Sequence, residues 1–293
     1  MSYFRKLVPL VVVAGVLVPV AARTPQAPTA PVLLKAAADY LDTFASKISG
    51  TALDELFILV ETAGPQMMVP QRLYSDVVIV KIDINGQLLG LRDLFAVDKK
   101  SLRPHEPRVT DALEQPSLAR WEAVQGFVRE HAIYLRSNGI IWFSDPVLAL
   151  QFAGRANQSR MTYKLDGSKK VHGVEVHGLG FKEIERPTGT YLLGTPDNPQ
   201  ASGRLWIDGA TGAIYETELW VQSDSETARL RVTYAPDPAR NLLLPHDSSG
   251  TFESRQKGSG GNIGPRGTRA AFDVSATYTN PRYVPIDLSR ISR

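Results

Sequence analysis

The sequence predicts an α+β fold: a curled, mostly antiparallel sheet of about nine to eleven strands forming an open half-barrel, with an N-terminal helix and a helical insert packed on or over its concave face. Three observations predict it. Apolar residues recur at three- and four-residue steps in only two zones, 32–48 and 117–152. Most of the remaining chain alternates polar and apolar side chains between Gly, Pro and Asn punctuation, the signature of half-buried strands. So many strands exceed what one flat sheet tolerates, so the sheet has to curl.

The elements follow in order. Leu33, Ala37, Tyr40, Phe44 and Ile48 form one stripe over 32–48, with Thr29 placed to cap the start and Gly50 to follow the end. Segments 56–61, 72–82 and 88–97 are rich in Val, Ile, Leu and Phe and read as the first strands. Gly64-Pro65 and Asn85-Gly86 break them, the latter suited to a tight hairpin because both of its central positions need positive φ. In the insert, Ser117 is placed to cap a helix whose stripe is Leu118, Trp121, Val124, Val128, Ala132 and Leu135. Ser144-Asp145-Pro146 then opens a short helix at 147–152, with proline in its first turn.

The second half reads as a meander. A strand at 160–165 ends in an Asp166-Gly167 turn, a second runs over 171–185, and a Pro/Gly-rich loop spans 187–202. The clearest hairpin starts at Gly203. On its return strand Tyr215, Thr217, Leu219 and Val221 share one face, and Ile214, Glu216, Glu218 and Trp220 share the other. Next, Ala228, Leu230, Val232 and Tyr234 alternate with Thr227, Arg229, Arg231 and Thr233. Pro236, Pro238 and Pro245 bracket a loop before a strand at 248–255. The glycine-rich stretch 258–267 is expected to lack order, since glycine costs the most entropy to fix. Ala270, Phe272, Val274, Ala276 and Tyr278 make the last strand.

The N-terminus has the layout of a secretory signal: Arg5 and Lys6, an apolar run over 7–20 interrupted by Pro9 and Pro19, then Val20-Ala21-Ala22. The run is short for a bilayer span, which favours cleavage; a retained signal anchor is the alternative. The expected division is therefore a signal peptide at 1–22, a proline-rich linker at 23–31 and a single domain at 32–293 carrying the insert 117–152. Localisation is expected to be periplasmic or secreted. With no cysteine the chain has no disulfide, no thiolate site and no residue for lipid attachment. Hydrophobic residues at 43% and charged residues at 22% describe an ordinary globular domain. Losing Arg5 and Lys6 would lower the formal charge from +3 to +1 (3 − 2), and no dense Lys/Arg run offers a phosphate footprint, so nucleic acid is not an expected partner.

The search for chemistry returns no catalytic, cofactor or metal residues. His105, His131, His172, His177 and His246 fit no metal-ligand spacing. Ser254 and Lys257 match S-x-x-K, but beside a glycine-rich stretch and without partner motifs. Asp93, Asp98, Asp208 and Glu218 fall on strands or turns, and Asp208 before Gly209 suits a turn carboxylate accepting backbone N–H bonds. Asn157-Gln158-Ser159 fits a glycosylation acceptor, relevant only in a eukaryotic secretory setting.

GRLWID from Gly203, the short TG-containing turn and the alternating strands after it resemble the periplasmic outer-membrane lipoprotein-carrier (LolA-type) superfamily. RLYSDVVIVKI from Arg72, GLRDLFAVD from Gly90 and YTNPRYV from Tyr278 resemble uncharacterised exported bacterial proteins linked to that fold. The resemblance implies a half-open barrel, lidded by helices, that holds a lipid acyl chain or lipoprotein in its concave face. It implies a binding protein rather than an enzyme. The family's cavity arginine has no assignable counterpart, and the insert is open to two roles, lid or elaboration. Parity places Tyr215, Leu219, Leu230 and Val232 on the uncharged side of their strands, either lining a ligand cavity or forming plain core. Transient contact with a membrane or envelope protein stays open, as does the oligomeric state. Two other functions remain in view: an envelope sensor or protein-interaction domain, and a hydrolase.

Overall fold

The computed structural model describes residues 28–62, 69–82, 87–106, 108–115, 117–135, 143–184, 200–223, 226–255 and 269–284. The leader, the Gly64-Pro65 and Asn85-Gly86 turns, most of the 187–202 loop and the 258–267 stretch lie outside the described residues. Helix α1 (Ala30–Ile48) leads into β1 (Thr51–Glu61), β2 (Gln71–Ile82), β3 (Gln87–Val97) and the two-residue β4 (Lys100–Ser101). The insert comprises α2 (Arg108–Glu114), α3 (Ser117–Leu135) and two 3-10 helices, Leu148–Ala153 and Arg155–Arg160. The rest is a meander: β5 (Met161–Val171), β6 (Val174–Glu183), β7 (Gln200–Ile207), β8 (Ile214–Gln222), β9 (Glu226–Asp237), β10 (Leu242–Arg255) and β11 (Arg269–Tyr283).

All eleven strands join one sheet in the order β4-β3-β2-β1-β11-β10-β9-β8-β7-β6-β5, antiparallel throughout. The chain enters near one end, runs outward to β4, crosses through the insert to the far end and returns strand by strand until β11 pairs with β1. The two ends, β4 and β5, stay unpaired with each other, so the barrel is open. Its curl follows from reach. Helix α1 touches β2, β10, β6 and β5, which are third, sixth, tenth and eleventh in the sheet. Flat, β2 and β5 would lie roughly 38 Å apart at ~4.8 Å per strand, beyond the roughly 28 Å of a 19-residue helix.

The helix forms where the apolar stripe predicts, two residues early: Ala30 and Pro31 belong to it rather than to the linker. Thr29 holds the cap position in extended backbone without a side-chain cap bond. The buried stripe is Leu33, Ala37, Ala38, Leu41, Phe44, Ala45 and Ile48, with Tyr40 half-buried beside it. It packs on a core drawn from nearly every strand and from the 3-10 helix Leu148–Ala153. Alternate residues Ala52, Val78, Val80 and Leu91 face the reverse side, where Val109, Ala112, Leu113, Val124 and Phe127 of α2 and α3 cover them. The insert thus wraps one end of the sheet, its first helices on the reverse face and its later part, Leu135 and Phe143 onward, in the α1-side core.

Three local expectations are corrected. The turn expected at Asp166-Gly167 is instead a register shift within β5, and the hairpin turns at His172 and Gly173, whose φ values of 49° and 82° suit a two-residue primed turn. Pro236 and Pro245 sit in β9 and β10, Pro245 at a register shift, where a missing N–H is tolerated. The helix expected at 147–152 is a 3-10 helix at Leu148–Ala153.

The β7–β8 turn presses directly on α1. Gly212 has φ of +75°, and a Cβ there would stand 2.1 Å from the Ala36 carbonyl oxygen. We expect Gly212→Ala to destabilise by about 3 kcal/mol or more, seen as a thermal midpoint lowered by about 6–12 °C. Gly126→Ala in α3, where a Cβ meets nothing within 4 Å, should be neutral or stabilise by up to about 1 kcal/mol. Equal effects would show that the turn does not bear on α1.

Candidate functional site

The α1 side of the sheet carries a charged cluster inside an otherwise apolar core. Glu55 of β1 and Arg92 of β3 share that face with Leu53, Phe57 and Val77 by alternation. The Arg92 Nε donates to both Glu55 carboxylate oxygens, at 3.0 and 2.8 Å, and the two side chains are 4% and 0% exposed. Arg92 Nη2 donates to the Ser144 carbonyl at 2.6 Å, and the guanidinium lies 5.8 Å from the Phe57 ring centroid. One cation therefore ties two strands to the insert.

Asp145 stands beside it. Its Oδ2 accepts the Gly90 N–H and its Oδ1 the Val147 N–H, both at 3.0 Å. β4 covers β3 only at Ala96 and Val97, so Asp145 supplies the acceptor where the outer neighbour is missing. Gly90 leaves the room: a Cβ there would lie 2.9 Å from Asp145 Oδ1. Burial raises the Asp145 pKa to about 6 despite these bonds and the Arg92 charge. His131 of α3 is 1% exposed and neither ring nitrogen has a hydrogen-bond partner. Burial, and then the Arg92 charge, depress its pKa to about 3. His131, Gly90, Arg92, Val128 and Asp145 border a cavity of about 20 Å³, enough for roughly one water. Tyr278 lies at the same cluster, its hydroxyl pKa pushed up by burial and then by the Glu55 charge.

A larger cleft, of about 360 Å³, opens next to this cluster between α1, the β2–β3 hairpin and the 3-10 helices. Leu41, Ala45, Leu88 and Leu150 are its apolar part, and all four belong to the main core. Lys81, Gln151 and Arg155 are among its polar side chains. Arg155 holds Asp39 and, at 2.9 Å, Asp42. Both polar atoms of the Gln151 side-chain amide are buried without a partner. An orphaned amide costs about 1–3 kcal/mol for each unmet group; both atoms are closed to solvent as the side chain stands, so a guest in the cleft would pair with them only once the side chain turns into it.

The residues singled out from the sequence lie elsewhere. Leu219, Leu230 and Val232 are 1%, 4% and 1% exposed in the main core, and Tyr215 is half-buried against it. Leu219 pairs with Leu230 and Thr217 with Val232 across β8–β9. None of the four borders the cleft. Ile214, expected on the wet side, is 1% exposed in the core, because the register shift between Trp206 and Ile207 carries it across. Asp208 does serve its turn, accepting the Ala210 N–H at 2.9 Å and the Thr211 hydroxyl at 2.6 Å. Asp93 is buried between Arg103 and Arg108, a structural pairing. Among the described residues no group of three or more His, Asp and Glu could hold a metal ion.

No family model and no curated protein match the sequence. Solved structures are similar to the chain at low identity. A domain from Vibrio parahaemolyticus described as an outer-membrane lipoprotein-sorting protein is 9% identical, covers 90% of this chain and 100% of its own, and has a TM-score of 0.40. A DUF1329 family protein from Desulfovibrio piger is 11% identical over 85% of this chain and 92% of its own, with a TM-score of 0.37. A LolA superfamily protein from Nitrosomonas europaea is 11% identical over 91% and 99%, with a TM-score of 0.32. The chain is similar to these at 9–11% identity.

The buried cluster gives a pH signature. The raised Asp145 pKa means the folded state holds a proton the unfolded chain releases; its stabilising contribution is complete below pH about 3.8 and is lost as pH rises through about 6. The depressed His131 pKa acts oppositely: its contribution is complete above pH about 6.5 and is lost as pH falls toward about 3. Between pH 4 and 6 the two oppose. Relative to wild type, Asp145→Asn should lose, and His131→Leu gain, of the order of 3 kcal/mol on acidification from pH 6.5 to 4 in urea unfolding. Identical pH slopes in all three proteins would remove the cluster from the pH response.

Proposed function

We propose that this is an exported binding or carrier protein for an amphiphile with an acyl chain, a lipid or an acylated lipoprotein, and that the cleft between α1 and the 3-10 helices receives it. The observation that carries the reading is the orphaned Gln151 amide on a cleft that opens into the main core. The apolar part of a guest lies on Leu41, Ala45, Leu88 and Leu150, and its ester, amide or carboxyl group meets Gln151 beside Lys81 and Arg155. The volume is at the lower end for small-molecule sites. Burying about ten methylenes at ~0.8 kcal/mol each yields about 8 kcal/mol gross. Association costs subtract from that, so micromolar is the tightest affinity the chain alone reaches. A longer acyl chain continues along the Tyr215, Leu219, Leu230 and Val232 face only when α1 lifts. Binding without chemistry and work outside the cytoplasm, after removal of the leader, complete the reading.

Two measurements test it. Mass spectrometry of protein purified under native conditions should show a co-purifying acyl lipid. Ala156 is exposed at the cleft, so Ala156→Trp should plug it, abolishing uptake of a fluorescent fatty-acid probe without shifting the unfolding midpoint. Uptake equal to wild type would place the ligand elsewhere. Leu230→Asp separates the inner face from the cleft: in filled core it should unfold the protein, at a cost of several kcal/mol.

A further inference from the structure

The outer face of β5–β9, opposite α1, is a second surface with chemistry of its own. Two adjacent cross-strand rows lie on it. One runs Lys164, Gly180, Arg204, Glu218, Arg231; the next runs Thr162, Lys182, Ser202, Trp220, Arg229. With Lys169 and Asp166 beside them, this face holds six cations (Lys164, Lys169, Lys182, Arg204, Arg229, Arg231) and three anions (Asp166, Glu216, Glu218), a surplus of 6 − 3 = +3.

The three carboxylates are already taken. Glu216 is held by Arg231 and Lys169, at 2.8 and 2.7 Å. Arg204 holds Asp166 and, at 3.5 Å, Glu218, which also accepts the Trp206 indole N–H at 2.9 Å. Lys164, Lys182 and Arg229 are exposed and have no carboxylate partner among the described residues. The row of Lys182 and Arg229 also carries the partly exposed Trp220 ring, and Ile184, 54% exposed, follows Lys182 just past the end of β6. Gly180, lacking a side chain, helps form a groove of about 710 Å³ bordered by Lys164, Lys182, Ser202, Arg204 and Trp220.

We propose that this outer face docks on a bilayer surface carrying anionic lipids, with phosphate groups over Lys164, Lys182 and Arg229 and the Trp220 ring and Ile184 seated among the headgroups. A site for a soluble anion explains the cations but not an exposed aliphatic residue and an indole beside them. An interfacial surface uses both, because cations meet anionic headgroups while apolar groups enter the acyl boundary. The proposal stands on the face opposite the acyl cleft and does not depend on that cleft being occupied.

The full chain is tested by co-sedimentation with phosphatidylcholine vesicles, with and without phosphatidylglycerol. Binding should require phosphatidylglycerol and weaken with added salt. Each of Lys164→Gln, Lys182→Gln and Arg229→Gln should lower the partition constant about fivefold, and the triple variant about a hundredfold. Fluorescence quenching by brominated lipid should fall in Trp220→Phe. The cleft plug Ala156→Trp should sediment as wild type, so loss of the acyl site and loss of docking read out separately. If the triple variant does not fold, the single variants decide. Equal binding to neutral vesicles, or an unchanged triple variant, overturns the proposal. So does displacement by glycerol phosphate at constant ionic strength, which would make the groove a small-anion pocket. Retention of the protein by DNA through the same three residues, without vesicle binding, overturns it as well.

Discussion

The pairing of β1 with β11 is the constraint on which the rest depends. It joins Glu55 to Tyr278 and Leu59 to Val274, so nearly the whole chain lies between the two partners. Without it, β1–β4 would be a four-stranded fragment and β5–β11 a separate seven-stranded meander, each with an exposed apolar face. With it, one continuous surface curls far enough for a single helix to touch both β2 and β5, third and eleventh in the sheet. The same arrangement leaves two free edges, and each is blunted. At the β4 end, the part of β3 that β4 leaves unpaired is met by the Asp145 carboxylate at Gly90. The β5 edge carries Lys164, Lys169 and Lys170, charges that discourage pairing with another chain.

Burying Arg92 and Glu55 near that seam costs solvation that their mutual attraction offsets only because the Arg92 Nε–H is shared by both carboxylate oxygens and Nη2 reaches the Ser144 carbonyl. Replacing either partner alone would strand a charge in the core. The neighbours are consistent with this. His131 stays neutral because burial penalises its charged form, with the Arg92 charge adding to that, and Asp145 holds its proton into mildly acidic solution because burial outweighs its two N–H donors. The cluster is therefore a joint between sheet and insert whose ionic part is fixed and whose titratable part is held near neutrality.

The sheet was legible because half-buried strands alternate, and β8–β9 show why: Leu219, Val221, Leu230 and Val232 are core while Glu218, Arg229 and Arg231 face out. What alternation misses are register shifts. One between Trp206 and Ile207 moves Ile214 inward, and one after Leu165 turns an expected Asp-Gly corner into strand. Parity also equates wet with exposed, yet Glu216 on the outer face is 1% exposed because Arg231 and Lys169 close over it. The cleft was illegible for a different reason. Its walls come from α1, the β2–β3 hairpin and the 3-10 helices, and Gln151 in a short helix carries no pattern that marks its amide as unpaired. Arg92 lies in the stretch from Gly90 that carries part of the family resemblance, but nothing local distinguishes a buried arginine from a solvated one.

The outer face was hidden by the same limitation. Scanning the sequence finds no dense Lys/Arg run, because the cations come from β5, β6, β7 and β9, separated along the chain and brought together only by strand pairing. A helix concentrates charge from neighbouring residues; a meander concentrates it from residues ten or more apart, one per strand per row. The two faces also differ in what they tolerate. Inner side chains are fixed by packing, where a lost methylene or an added charge is felt at once. Outer side chains answer mainly to one another and to solvent, so their charge balance can change with little effect on the fold. In a chain with an overall formal charge of +3, a local surplus of the same size with its carboxylates already occupied is an asymmetry the fold does not require. Docking on an anionic bilayer, as proposed, would give those cations a role that the fold does not.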